Sequence, residues 1–480
     1  MKHIRRITVA NTLALSATAA LAQVALALVA APTTLAAQQK VPVMALSPVA
    51  AKSLDTFGAI LNVRQLPNGS VLVNDAGRRR LLMLDPTLAK TTVIIDSTAG
   101  TSNSYGPRPT PLIAYLGDSS LFVDAASSSL LVIDPFGKVA RVMSAPKPGD
   151  LRFLGGGQAY TDDKGRLLYR GAMVMQQNRN LNPGERAAPM QPPDSAPILR
   201  ADFDTRMVDT EGRVKLSNGT RMNIEQGADG KMNMKMTINP VQTIDDWTVL
   251  SDGSLAFVRG QDYHVDIVDA KSGEVAHGSK LPFDWKRLTD DDKQKLIDSA
   301  RVANENAQKA AAAAGTNGNG TFQMGGPPGG GLPGGGGGEV RVVMMARDGG
   351  GGGGATVGGA DVGGMAGGRP MQMGAPKFEF PPLKEIADYY PAIRAGAAKA
   401  DLEGNVWILT TTTAQSTGGE LVYDVINKKG ELFQRVRLPV GRSVAGFGKG
   451  GVVYLQSGDR TNGFILERTN LLGGGRSASN

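Results

Sequence analysis

Short apolar runs, each closed by a turn signal, recur along the chain from residue 58 to residue 472. The pattern is fullest between Gly58 and Asp96. Ile60, Leu61, Val63 and Leu66 lead into Asn68-Gly69, a two-residue hairpin signal. Val71-Leu72-Val73 follows and stops at Asp75-Ala76-Gly77. Leu81-Leu82-Met83-Leu84 ends at Asp85-Pro86, and Thr92-Val93-Ile94-Ile95 comes last. Runs this short, so punctuated, predict four antiparallel strands in about forty residues. Leu112 to Met143 repeats the unit. Gly117-Asp118-Ser119 stands where Pro67-Asn68-Gly69 stood, and Leu131-Val132-Ile133-Asp134-Pro135 where Leu82 to Pro86 stood.

A third unit opens at Arg152 and turns at Lys164-Gly165. The fourth turns at Asp252-Gly253, the fifth at Glu403-Gly404 and the sixth at Lys449-Gly450. Six four-strand units at irregular spacing predict an all-β fold, a six-bladed β-propeller carrying insertions. A β-sandwich accommodates six such units poorly. Little follows Phe464 that could form an outer strand for the sixth blade, so Val49 to Thr56 is expected to supply it, closing the ring and removing a sheet edge.

Between blades four and five lies a large insertion. Thr289-Asp290-Asp291-Asp292 reads as a helix start with acids in the first turn, and Leu296, Ala300, Ala303 and Ala307 recur at helical spacing. Of the 60 residues from Gly315 to Gly374, 26 are glycine; such a segment gains too little burial to offset its ordering entropy. Only Glu339 to Arg347 could form a brief strand there. The expected organisation is a signal peptide (1–37), a flexible segment (38–47), blades 1–4 (48–285), the inserted helix (286–314), a Gly-rich disordered insertion (315–374), blades 5–6 (375–472) and a disordered tail (473–480).

Composition adds the compartment. Lys2, Arg5 and Arg6 precede a long Ala/Leu/Val run from Ile7 to Ala31, and Leu35-Ala36-Ala37 suits a signal peptidase. Cleavage before Gln38 would leave no stable membrane span; an uncleaved anchor is the alternative. Loss of those three cations takes the formal charge from +8 to +5. A mild charge on an exported protein argues against nucleic acid as partner. The expectation is a monomer, periplasmic or secreted. With no cysteine the chain has no disulfide, no thiolate nucleophile and no cysteine metal site.

In a propeller, second-to-third loops and inter-blade connections share one face. Every first-to-second turn here is short, whereas Ala172–Pro197, Ser217–Pro240 and Pro282–Ile393 are long and all belong to that one face. The second strands end there at Asp75, Asp124, Arg170, Arg259 and Thr411, with Arg64, Asp262, Tyr263 and Arg394 nearby. Carboxylates and guanidiniums converging on a channel could bind a polar ligand or a cation; as single residues they could equally cap strand ends and pair with one another. After signal cleavage only His264 and His277 remain, which rules out a three-histidine zinc site. His264 is the candidate general base, or a half-buried strand residue. There is no Gly-x-Ser-x-Gly elbow and no phosphate loop. Met232, Met234 and Met236 could offer thioethers to Cu(I), or simply share a strand face.

The blade pattern resembles exported bacterial six-bladed propellers of the NHL/TolB-like kind. The resemblance is carried by Asn62 to Gly69 with Val71 to Asp75, by Asp246 to Gly253 with Val258-Arg259 and Asp262-Tyr263, and by Val422 to Val425, Arg437 to Pro439 and Val444 to Gly448. It implies fold more than activity, because such propellers include binding proteins, lactonases, lyases and dehydrogenases. Lactonases resembling gluconolactonase use a Glu/Asn/Asp calcium site at the channel mouth, and that triad has no residue-by-residue counterpart here. Two functions follow as expectations. One is a binding scaffold for a protein, peptide or glycan. The other is a metal-dependent hydrolase or lactonase, with Asp75 and Asp124 as ligands of a calcium-type cation and His264 as base.

Overall fold

A computed structural model of the chain describes residues 41–98, 104–106, 109–124, 127–156, 158–171, 193–216, 220–226, 232–313, 322–323, 341–342, 377–412, 419–459 and 461–472. The expected signal peptide, the tail and most of the Gly-rich insertion lie outside these residues. Six four-stranded blades follow one another in chain order. Their innermost strands are Ile60–Gln65, Leu112–Ala114, Ala159–Thr161, Asp246–Val249, Ala398–Ala400 and Arg442–Gly448. Each blade then steps outward through antiparallel neighbours, as in blade 1 through Val71–Asp75, Arg80–Leu84 and Thr91–Ile95.

The apolar runs are continuous because both faces of each blade are covered. Six buried clusters fill the six gaps between adjacent blades. Along Leu255–Arg259, Leu255 and Phe257 pack toward blade 3, while Ala256 and Val258 pack toward blade 5. The last cluster joins Tyr454, Phe464 and Leu466 of blade 6 to Val71, Val73 and Leu82 of blade 1, so the ring is closed.

Closure uses the N-terminal segment, as expected. Ala51–Lys52 pairs antiparallel with Gly463–Asn470 as the outer strand of blade 6. Residues 43–45, expected to be flexible, instead form a strand. Val43–Ala45 runs parallel to Leu432–Arg437 on the outer edge of blade 5, where unpaired backbone groups would otherwise face solvent. Aspartates and asparagines open the turns. Asp85, Asp134, Asp162, Asp202, Asp269, Asp401, Asn427 and Asp459 each accept backbone N–H groups from residues just ahead in the chain.

Two inter-blade connections grow into one module. The 3–4 connection forms a hairpin of Thr220–Gln226 and Met232–Ile238. Its second strand pairs in parallel with Lys377–Glu379, which lies in the 4–5 connection. The methionines of 232–236 therefore sit on a strand, and Met236 is buried. The inserted helix, Asp290–Ala313, begins where the sequence placed it: the Asp292 N–H donates to Thr289 Oγ1, and Asp292 Oδ2 accepts from the Thr289 N–H. Val241, Leu288, Ile297 and Ile386 form the module's own core. Lys293 pins the helix, donating to Asp388 Oδ1 at 2.6 Å and to the Leu383 carbonyl at 3.3 Å. Within the Gly-rich stretch, Phe322–Gln323 pairs with Arg341–Val342. Among the described residues no helix is long and apolar enough to cross a membrane.

Candidate functional site

The second strands are the second layer out from the axis and are buried almost end to end. Their terminal residues accordingly meet protein groups. Asp75 Oδ1 accepts from the N–H groups of Gly58, Ala59 and Arg78 at 2.9 to 3.2 Å, and Oδ2 pairs with Arg80 at 3.1 Å. Asp124 is buried and accepts from Ser127 Oγ. Thr411 donates its hydroxyl to the Pro391 carbonyl. Arg259 bridges Asp266 and Asp245, both at 2.8 Å, and reaches the Arg213 carbonyl. Tyr263, buried at a φ of 52°, donates to Asp424, which also pairs with Arg435. Burial and the Asp424 charge push the Tyr263 hydroxyl well above its usual pKa.

The two histidines share one carboxylate. His264 Nε2 lies 3.3 Å and His277 Nδ1 2.8 Å from Asp266 Oδ1, while His264 Nδ1 meets Asp262 at 2.7 Å. Arg259 holds the other oxygen of Asp266. This group joins the third and fourth strands of blade 4, outward from the channel wall. It sits where both insertions are rooted, since Asp245 ends one and His277 precedes the other. Asp75 and Asp124 belong to different blades, and among the described residues no three acids or histidines are placed to hold a metal ion.

The channel wall is built by the first strands, and there the structure adds residues outside the candidate set. Asp246 opens the first strand of blade 4. Its Oδ1 accepts from Gln158 of blade 3 at 2.7 Å and its Oδ2 from the Ala398 N–H of blade 5 at 2.8 Å. One carboxylate thus links the inner strands of three blades. Burial raises its pKa, against hydrogen bonds from Gln158 and the backbone and the charge of Arg170. Lys399 follows Ala398, and burial lowers its pKa against the attraction of Asp246. Arg170 is half-buried and lowered for the same reason, again opposed by Asp246. Arg394, on the chain returning from the module, is lowered by burial beside Tyr390.

Arg64 does not join this group. It reaches the carbonyl of Ser119 and the hydroxyl of Ser120 in the first-to-second turn of blade 2, at the other end of the channel wall. Burial lowers its pKa to about 10, with Asp118 opposing. Between blades 1 and 2 lies a second polar knot. Asn74 donates to Asn62 Oδ1 and the Thr110 carbonyl and accepts from Tyr105, while Asn62 donates to the Leu112 carbonyl. The signal for both knots was present in the sequence as polar residues inside first-strand segments, Asn62, Asp246 and Lys399 among apolar neighbours.

The fold and this channel define the class: a six-bladed β-propeller with a module on the inter-blade face. No protein-family model matches the chain, and no curated protein matches it. Similar solved structures include virginiamycin B lyase from Staphylococcus aureus (11% identity, 85% of this chain and 94% of that chain, TM-score 0.33). They also include regucalcin from Agrobacterium tumefaciens, a calcium-binding protein (11%, 89% and 96%, 0.34). A third is the PQQ-bound aldose sugar dehydrogenase from Streptomyces coelicolor (12%, 89% and 97%, 0.33). Likeness at this level says nothing of activity.

Proposed function

We propose that the protein is an exported binding propeller whose working face carries the insertion module, and that it takes a protein, peptide or glycan there. One observation carries this reading. Insertions from two separate connections interlock, through the parallel pairing of Met232–Ile238 with Lys377–Glu379 and through the Val241–Leu288–Ile297–Ile386 core. Ordering two long insertions against each other costs chain entropy that the closed ring does not need. Structured segments mounted on a rigid scaffold are where recognition concentrates. The metal-dependent hydrolase reading would need Asp75 free for a cation, and its oxygens serve three backbone N–H groups and Arg80.

The test is binding to peptide and glycan arrays by the protein and by Ile297→Asp, which puts a charge into the module core. The expected result is ligands of one class that are lost in the variant while the ring's unfolding transition is unchanged. Blank arrays, or hits indifferent to the variant, would contradict it. Calcium-dependent turnover of a lactone or ester panel would favour the hydrolase.

A further inference from the structure

We propose that Arg170, at the end of the second strand of blade 3, and Lys399, on the inner strand of blade 5, form with Asp246 and Gln158 between them a binding site for a small oxyanion, a carboxylate or a phosphate. The register places the first cation. Ala159 pairs with Tyr169 and Tyr160 with Leu168, so Gln158 stands opposite Arg170, one step beyond. The Gln158 amide reaches Asp246 Oδ1, which turns this side of blade 3 toward blade 4. On the other side the Ala398 N–H holds Asp246 Oδ2, and Lys399 is the next residue of that inner strand. The inner ends of three blades thereby meet at one carboxylate; Lys399 stands opposite Trp407, on the face of its strand turned to blade 6, with its charge within reach of Asp246.

Several part-buried cations elsewhere pair directly with a carboxylate. Arg166 meets Asp162, Arg435 meets Asp424 and Arg442 meets Glu467, each at 2.7 Å, and Arg259 meets Asp266 at 2.8 Å. Arg170 and Lys399 break that pattern. Neither side chain forms a hydrogen bond or ion pair with a described residue, and Asp246 is the carboxylate within their electrostatic reach. Its oxygens already accept from Gln158 and Ala398. Two cations against one carboxylate leave a positive charge in a partly dehydrated wall, where an oxyanion is held more strongly than in water. Burial lowers the pKa of both cations and raises that of Asp246, the direction expected when the charges lack full compensation. The guanidinium fork suits two oxygens of a carboxylate or phosphate, and the ammonium supplies a point charge. The site needs only the channel wall, so it stands or falls separately from recognition by the module.

The experiment is calorimetric titration of the protein with sodium phosphate and with sodium succinate at constant ionic strength. It is repeated on Arg170→Gln, Lys399→Met and the surface control Lys428→Gln, each checked for native circular dichroism. Saturable binding of at least one probe is expected, weakened tenfold or more in the Arg170 and Lys399 variants and unchanged in the control. Phosphate alone binding would identify a phosphoryl ligand, and succinate alone a carboxylate. Absence of saturation with both probes overturns the proposal, and so does binding that survives both wall substitutions.

Discussion

Two polar knots gather around inner-strand residues, and they are built on opposite principles. The knot of blades 1 and 2 is neutral. Asn62, Asn74 and Tyr105 satisfy one another and the carbonyls of Thr110 and Leu112. Burial pushes the Tyr105 hydroxyl up to about 12, so it stays protonated and keeps donating at physiological pH. The knot of blades 3 to 5 is charged: each oxygen of Asp246 accepts a hydrogen bond, while Arg170 and Lys399 have no direct partner among the described residues. A satisfied neutral network holds blades together. A charged one with spare cations carries a desolvation cost that a ligand can offset.

The largest effect is expected at Asp246. Asp246→Ala strands the Gln158 amide, the Ala398 N–H and two cations, and should cost about 3–5 kcal/mol in urea unfolding. Asn74→Ala breaks the neutral knot without leaving a charge behind. It should cost about 2 kcal/mol, measured the same way. Lys399→Met should do the reverse and raise the stability of the ligand-free protein by about 1 kcal/mol or less, because it removes a poorly compensated charge.

The Lys399 gain should depend on pH. Its folded pKa lies below the 10.5 of the unfolded chain, so its destabilising effect is complete below the folded value and fades as pH rises toward 10.5. The advantage of the methionine variant therefore shrinks in alkaline unfolding experiments. Smallest is Lys428→Gln, at an exposed pair with Asp252 that shares no residue with either knot. It should change stability by less than about 0.5 kcal/mol.

Much of the fold was legible. Turn residues marked each blade, the segment around Ala51 was assigned to close the sixth, and Thr289 marked the helix start. These are local signals, or follow from counting strands. The module was not legible, because Met232–Ile238 pairs with Lys377–Glu379 across some 140 residues and no short-range pattern encodes that. Nor was Val43–Ala45, whose partner is an open edge far along the chain.

The site was half legible. Topology placed the long connections on the inter-blade face, where the module forms, and Arg170 is the one strand-end candidate that recurs in the proposed oxyanion site. Asp75, Asp124 and Arg259 end their second strands and Thr411 lies two residues past its own, and all four meet protein groups. Alternation along a strand tells which blade a side chain packs on, and not how far it stands from the axis. First strands of three or four residues, as in blades 2 to 5, give that pattern little room, so Asp246 and Lys399 passed as parts of ordinary strands.

The most direct measurement is the urea stability of Lys399→Met beside Asn74→Leu, both against the unaltered protein without added oxyanion. Opposite signs are expected, a gain for the first and a loss for the second. A loss of similar size in both would show that the two knots do the same structural work, and would contradict the assignment of the blade 3–5 wall as a ligand site.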